Sequence, residues 1–339
     1  MAEQQNNQTS GRDFLLSDLF QGPSAPWTFF ALTVLDLLVA LLGNTTMITL
    51  IRADPQLHSP MYFLLGQLSL MDLLYISTFV PKMAWTFSQD HRISLFGCSI
   101  QMFLFTTLIG SECLLLAVMA YDHCVAICHP LHYPILMRPR VCTLLVLMSW
   151  LCALLNASIH VIYTMNLPFC ASREIHHFFC EIPHLLKLVC TDTSQYEKGI
   201  FVSGFVFLLP PFSVILASYG CILSTVLGTG SSLGLRKALD TCSSHMILVS
   251  LFYGASIIKY ILPKSHNSPE RDEVLSAFYT ILRPTLNPLI YSLRNKDVTR
   301  ALGSVLGKCG RWSDQVSTVN PQQVKHIFKI RADKIISST

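Results

Sequence analysis

The chain has 339 residues, of which 51% are hydrophobic and only 13% charged, where a soluble protein carries about 25% charged residues. Its mean hydropathy is +0.47, and a net charge of +4 is too small and too dispersed to form an electrostatic footprint for nucleic acid. These values exclude a soluble globular enzyme, a disordered chain and a nucleic-acid binder.

The N-terminal arm, Met1 to Asp18, is polar and has no basic region followed by an apolar core and a small-residue cleavage site. No cleavable signal peptide is expected. Asn7-Gln8-Thr9 is a sequon on this arm, and glycosylation is expected at Asn7. The first apolar run, about Trp27–Ile51, acts as an uncleaved signal anchor, and further runs follow at about Met61–Phe79, Cys98–Ile127, Val141–Tyr163, Gly199–Leu227, Thr241–Ile261 and Val274–Leu293. No Asp, Glu, Lys or Arg occurs from Val141 to Ser172 or from Gly199 to Leu235, and each gap exceeds the roughly 20 apolar residues that cross a bilayer as a helix. Sequons at Asn44 and Asn156 fall inside spans and are chance matches. No repeat of the solenoid or transporter kind is present.

Arg294, Lys296, Arg300, Lys308, Arg311, Lys325, Lys329, Arg331 and Lys334 follow the seventh run, whereas only Arg12 precedes the first. Arg52, Arg138, Arg140, Arg236 and Lys237 lie in short loops on the tail's side. The positive-inside rule places that side in the cytosol. The fold expected is an all-α membrane protein, a seven-transmembrane helix bundle with extracellular N-terminus and cytosolic C-terminus. It divides into an arm over residues 1–26, a seven-span domain over 27–293, and a cytosolic short helix and tail over 294–339.

Of the twelve cysteines, Cys113, Cys124, Cys128, Cys142, Cys152, Cys221 and Cys242 lie in or beside apolar stretches, where a thiol packs as a small hydrophobe. Cys98, Cys170, Cys180 and Cys190 fall on the extracellular side, and four cysteines allow three pairings. No C-x-x-C pair or His/Cys cluster points to a metal; scattered histidines such as His160 and His245 form no ligand pair, and no serine has a matched base. An enzyme is not expected.

Asp72, Glu112 and Asp122 lie in or at the spans. Burying a carboxylate costs several kcal/mol unless it is paired, protonated or facing water, so each is either a functional group or a protonated acid bonded between helices. Asn44, Asn287 and Ser69 can join Asp72 and Glu112 in one polar cluster. Pro210, Pro211, Pro284 and Pro288 are expected to break the ladder in the fifth and seventh spans, and Pro263 to end the sixth.

Gly43-Asn44, Pro60-Met61-Tyr62-Phe63-Leu64 and Leu68-Ser69-Leu70-Met71-Asp72 resemble the first two spans of vertebrate olfactory receptors. Met119-Ala120-Tyr121-Asp122, Val125-Ala126-Ile127-Cys128 and Pro130-Leu131-His132-Tyr133 continue the likeness. So do Ser218-Tyr219, Lys237-Ala238, Thr241-Cys242-Ser243-Ser244-His245, Phe252-Tyr253-Gly254, and the run from Pro284 to Asn295. The ordered set is specific where any one tripeptide is not.

The resemblance implies a rhodopsin-like receptor of the plasma membrane. A small odorant binds within its helices, and a heterotrimeric G protein of the stimulatory olfactory type answers by raising cyclic AMP. Membrane lipid surrounds it, and nucleic acid plays no part. It pairs Cys98 with Cys180 and leaves Cys170 for Cys190. It sets Met102, Phe105, Thr106 and Ile109, which recur at helical spacing, opposite Ser203, Phe207, Tyr253, Ser256, Ile257, Tyr260 and Thr280. No acid lies at that level, which disfavours cationic amines. It assigns G-protein coupling to Asp122, His123, Tyr219 and Tyr291. It makes Asp72 and Glu112 a sodium-binding pair, the one cofactor implied.

Four departures qualify it. Asp122-His123-Cys124 stands where relatives carry Asp-Arg-Tyr, Arg283 replaces a small or hydroxylated residue, Asp240 replaces a serine, and the tail beyond Cys309 is long. A histidine lacks the guanidinium's five-donor fork, so weak coupling is expected. Arg283 lies one turn before Asn287, on the same face. It is expected either to enter the acidic cluster and compete with sodium, or to snorkel to water. The main rival is a transporter, which also needs buried acids and broken helices but has half-repeats and more spans.

Overall fold

The computed structural model describes residues 13–16, 26–86, 92–170, 173–175, 177–228, 230, 232–260, 276, 282–295 and 297–305. Seven helices carry the fold: α1 (Pro26–Ala53), α2 (Pro60–Thr86), α3 (Leu95–Cys128), α4 (Pro139–Met165), α5 (Ser194–Gly228), α6 (Ser232–Tyr260) and α7 (Arg283–Arg294). Among the described residues, five stretches are long and apolar enough to cross a membrane, namely Ala31–Ala53, Pro60–Thr78, Leu95–Cys128, Pro139–Met165 and Ser194–Gly228. A shorter apolar stretch, Cys242–Ile258, lies in α6.

The apolar runs become helices because a helix satisfies its own backbone in hydrocarbon. Local chemistry sets the ends. Ser94 Oγ accepts the Gly97 N–H at 3.0 Å and caps α3, and Pro139 occupies the first turn of α4, where its missing N–H costs nothing. Ahead of α5, the Ser194 hydroxyl and N–H both donate to Asp192 Oδ1. Those bonds hold the Asp192 carboxyl below the usual carboxylate range and start the helix earlier than the apolar run alone suggests.

Outward faces are leucine stripes, Leu32, Leu35, Leu38 and Leu42 on α1 and Leu144, Leu147, Leu151 and Leu155 on α4, all exposed. The main core joins Leu64, Leu68, Met71 and Tyr75 of α2 to Phe105, Leu108, Leu115 and Met119 of α3. A second seam packs Cys113, Leu116 and Ala120 of α3 against Ile215 of α5 and Val249, Phe252 and Tyr253 of α6. Thus α3 is the axis of the bundle.

Pro210, Pro211 and Pro288 remove ladder donors, as expected, without ending their helices. α5 runs unbroken through Pro210 and Pro211, because the other ladder bonds of a long helix hold it across two missing donors. In α7, Pro288 lies inside the helix and withdraws the N–H that Pro284 O would accept. The Asn44 amide supplies it instead, donating to Pro284 O at 2.9 Å. The exchange needs α1 and α7 in close contact, and Gly43 allows it: a Cβ there would lie 2.9 Å from Pro288 Cγ. Pro263 lies outside the described residues.

Three short strands cap the extracellular end, a local addition to the all-α bundle. β1 (Asp13–Leu16) lies between β2 (Arg92–Ser94), antiparallel, and β3 (Glu174–Ile175), parallel. Phe14 and Leu16 turn inward onto Cys98, Met102, Cys180 and Leu185. Disulfides join Cys98 to Cys180 and Cys170 to Cys190. The Cys180 N–H also donates to Gln101 Oε1 at 2.9 Å, so the loop between α4 and α5 is fastened to the top of α3 twice. At the opposite end the Tyr62 hydroxyl is shared between Asn295 Oδ1 (3.2 Å) and Asp297 Oδ2 (3.1 Å), tying the helix over 297–305 to α2.

Replacing Gly43 by alanine forces α1 and α7 apart and costs about 1–3 kcal/mol. Thermal unfolding of purified protein should show a lower midpoint for Gly43→Ala. Gly66→Ala serves as control, since its nearest neighbour is the flexible Ile51 Cδ1 at 3.7 Å. Equal midpoints for both variants and the wild type would refute the contact.

Candidate functional site

The described residues among those implied as ligand contacts differ in their surroundings. Met102 is fully buried and belongs to the extracellular cluster beneath the disulfide. Phe105 packs between Tyr75 (ring centroids 6.0 Å) and Phe179 of the loop (5.1 Å). Thr106, Ile109, Ser203, Phe207 and Ile257 are half-buried. The Phe207 ring leans over Gly110, where a Cβ would meet it at 3.4 Å. The Ser203 hydroxyl donates to Asn156 Oδ1 at 2.7 Å, which places the sequon at Asn156 inside the bundle. Tyr253 Oη donates to Cys113 O at 3.2 Å, and its ring lies 4.9 Å from Phe212. Ser256 Oγ donates to Phe252 O within its own helix. The side chain of Tyr260, Thr280 and the sequon at Asn7 lie outside the described residues. Phe179, Phe212 and Tyr75 were missed by sequence reasoning, although Phe179's place beside Cys180 signals its position once the bridge is known.

Beneath this layer lies the polar core. Arg283 Nη2 meets Glu112 Oε2 at 2.6 Å, with both side chains 3% exposed. The guanidinium carbon lies 5.1 Å from the Tyr75 ring centroid and 5.4 Å from that of Phe252, within cation–π range. The Asn287 amide spans both oxygens of Asp72, at 3.1 and 2.8 Å. The two acids, Asn44 and Asn287 are all buried, and Ser69 is buried on α2. Arg283 therefore turns inward and does not snorkel, because an ion partner and two ring faces await it there. Asp36 is a fourth intramembrane acid that the sequence reading passed over; it is half-buried on α1, and its backbone carbonyl accepts from Thr285 Oγ1 at 3.2 Å.

At the cytosolic end Asp122 is buried and accepts a hydrogen bond from Tyr133 Oη at 2.9 Å. Burial, and then the negative charge of Asp122, push the Tyr133 phenol up. His123 turns away to the His245 ring, edge to face at 5.3 Å. His245 Nδ1 lies 2.6 Å from the Tyr219 hydroxyl. Of the residues assigned to coupling, His123 and Tyr219 thus meet through His245, Asp122 is held by Tyr133, and Tyr291 is buried in the main core. Cys124 lies beside Cys128, sulfur to sulfur 4.0 Å.

The expectation of no histidine cluster is overturned in the extracellular loop. His177, Glu181 and His184 are buried with ligand atoms all within 4.8 Å of one another. His184 Nδ1 lies 3.8 Å from Glu181 Oε2, and His177 Nε2 lies 3.2 Å from Ser276 Oγ. The trio reads as scattered in sequence because irregular backbone and the one-turn helix Ile182–Leu186, not one regular element, bring it together.

Helices gathered around α3, with buried polar contacts along the axis and a disulfide-fastened loop above, define the heptahelical G-protein-coupled receptor class, whose members are not enzymes. The family profile described as "Olfactory receptor" matches residues 33–308. Human olfactory receptor 2T27 is 54% identical over 307 residues, covering 90% of this chain and 97% of that protein. Human olfactory receptor 2T2 is 53% identical over 309 residues, 91% and 95% of the two chains, and human olfactory receptor 2T7 is 55% identical over 282 residues, 83% and 92%. The chain belongs to the olfactory receptor family and is a multi-pass membrane protein with seven spans.

Asn287→Ala leaves the Asp72 carboxylate without the amide that spans it. A lost hydrogen bond to a charged group costs roughly 1.5–3 kcal/mol. The variant's unfolding midpoint should fall accordingly in detergent, and an unchanged midpoint would show that Asp72 does not depend on Asn287.

Proposed function

We propose that the protein is a plasma-membrane odorant receptor that binds a small, mainly apolar volatile molecule and raises cyclic AMP through a stimulatory heterotrimeric G protein. The observation that carries this reading is the seam between α3, α5 and α6. There Ile109, Phe212 and Tyr253 pack in one apolar cluster, and the Phe207 ring leans over Gly110 of the same α3 face. A mostly apolar site with a few hydroxyls suits a ligand needing one or two hydrogen bonds. Glu112, the acid beside this seam, is engaged by Arg283, so a cationic amine finds its counter-charge already taken.

The route from ligand to G protein is short. Tyr253 holds α6 to α3 through Cys113 O. A ligand wedged between those helices favours the arrangement in which this bond is released, and it shifts the population only by its differential affinity for the two states. The α3–α6 contact of His123 with His245 is the one that must then open at the cytosolic face. A buried imidazole offers the G protein neither a fixed charge nor a fork of donors, and this supports weak coupling as the reading of that departure.

Odorant panels read by a cyclic AMP reporter should identify an activating ligand. Alanine at Thr106, Phe207 or Ile257, compared at matched surface level, should then right-shift the response by about tenfold, equivalent to roughly 1.4 kcal/mol. A response untouched by all three substitutions would exclude this seam as the binding site.

Separately, His123→Arg should raise basal or odorant-driven cyclic AMP several-fold at matched surface level. If signalling stays at the wild-type level, the histidine is no handicap and the weak-coupling reading fails.

A further inference from the structure

The family likeness makes Asp72 and Glu112 a sodium-binding pair, and the residues around them do not fit that ion. Glu112 is already met by the Arg283 guanidinium at 2.6 Å. Asp72 is spanned at both oxygens by the Asn287 amide, which holds its place on α7 one turn beyond Arg283. A sodium ion here would be pressed against a fixed cation in a low-dielectric interior, where like charges repel far more strongly than in water.

We propose that Arg283 is a tethered counter-cation: its guanidinium takes the position of a diffusible sodium ion beside Glu112, so that the receptor's core binds no sodium and α6 is latched to α3 and α7 by this chain's own side chain. Four helices meet at the guanidinium. Arg283 comes from α7, Glu112 from α3, and the two ring faces, Tyr75 and Phe252, from α2 and α6. A spherical ion can be lost to water when helices separate, and it has no preference for one ring face over another. A guanidinium is planar, permanently charged and covalently anchored, so the cluster keeps its charge balance whatever the ionic composition outside.

The α6 contact gives the tether a mechanical consequence. Phe252 precedes Tyr253, whose hydroxyl bonds Cys113 O, and Cys113 follows Glu112. Any displacement of α6 that releases Tyr253 also withdraws Phe252 from the guanidinium. The resting arrangement therefore carries two linked contacts from α6, one to Cys113 O on α3 and one to the α7 guanidinium that pairs with the neighbouring Glu112, a cation that cannot leave.

The inference rests on the ion pair and not on the odorant reading, and a stability measurement on purified receptor keeps the two separable. Unfolding midpoints are compared in sodium chloride and in choline chloride at equal ionic strength. The wild type should show the same midpoint in both salts. Arg283→Thr should acquire a sodium-specific rise of about 2–4 °C, and Arg283→Thr with Glu112→Gln should lose it again. A sodium-specific rise in the wild type overturns the proposal, as does an Arg283→Thr protein indifferent to sodium. Should Arg283→Thr fail to fold, the charge swap Glu112→Arg with Arg283→Glu decides: recovery of the surface delivery lost by Glu112→Arg alone supports the tether, and no recovery refutes it.

Discussion

In hydrocarbon a polar group has no water to fall back on, so every donor, acceptor and charge within the spans must find its partner inside the protein. Much of this structure follows from that constraint. Hydroxyls on outward faces turn back to their own helix: Thr49 donates to Thr45 O, Thr78 to Leu74 O, Thr143 to Pro139 O and Ser250 to Met246 O. The carbonyl that Pro288 strands on α7 is served by Asn44 on α1, and Gly43 is small because that service requires contact. The same demand draws Arg283 inward, since an intramembrane guanidinium is stable only against a carboxylate or at the interface.

The two ends of the bundle solve different problems. Outside, in an oxidising compartment, disulfides and a three-stranded patch hold the loop between α4 and α5 against α3, and Phe179 rides on it into contact with Phe105. The loop and the top of α3 are thus one packing unit, and Met102, implied as a ligand contact, is buried within it. Inside, Cys124 and Cys128 lie side by side as free thiols, in keeping with a reducing environment, and contacts between helices rely on Tyr133, Tyr219 and a pair of histidines.

Between the ends, α3 carries the layers in turn: Cys98 and Met102 under the extracellular loop, Phe105 and Ile109 at the proposed ligand level, Glu112 in the ion pair, Asp122 and His123 at the cytosolic face. Contacts to α6 and α7 fall at two of these layers, through Glu112 and Cys113 in the middle and His123 at the cytosolic face. A helix packed against so many neighbours cannot shift without repacking them.

The sequence by itself determined which segments cross the membrane, which side faces the cytosol and which polar residues had to be functional or paired. Hydropathy and basic-residue placement record the environment of each residue, and a bilayer makes that environment nearly one-dimensional. What only the tertiary structure decided is the choice among partners. Arg283 stood one turn from Asn287 in sequence, yet nothing in that spacing chose Glu112, Tyr75 and Phe252 over water. Asp122 took Tyr133, beyond the end of its helix, a partner that no helical spacing names. His177, Glu181 and His184 share no helical period, and Asp36 went unremarked because one acid in a long apolar run barely lowers its hydropathy. Partner choice depends on the rotation and separation of helices distant in sequence, and those are fixed by the packing of all seven together.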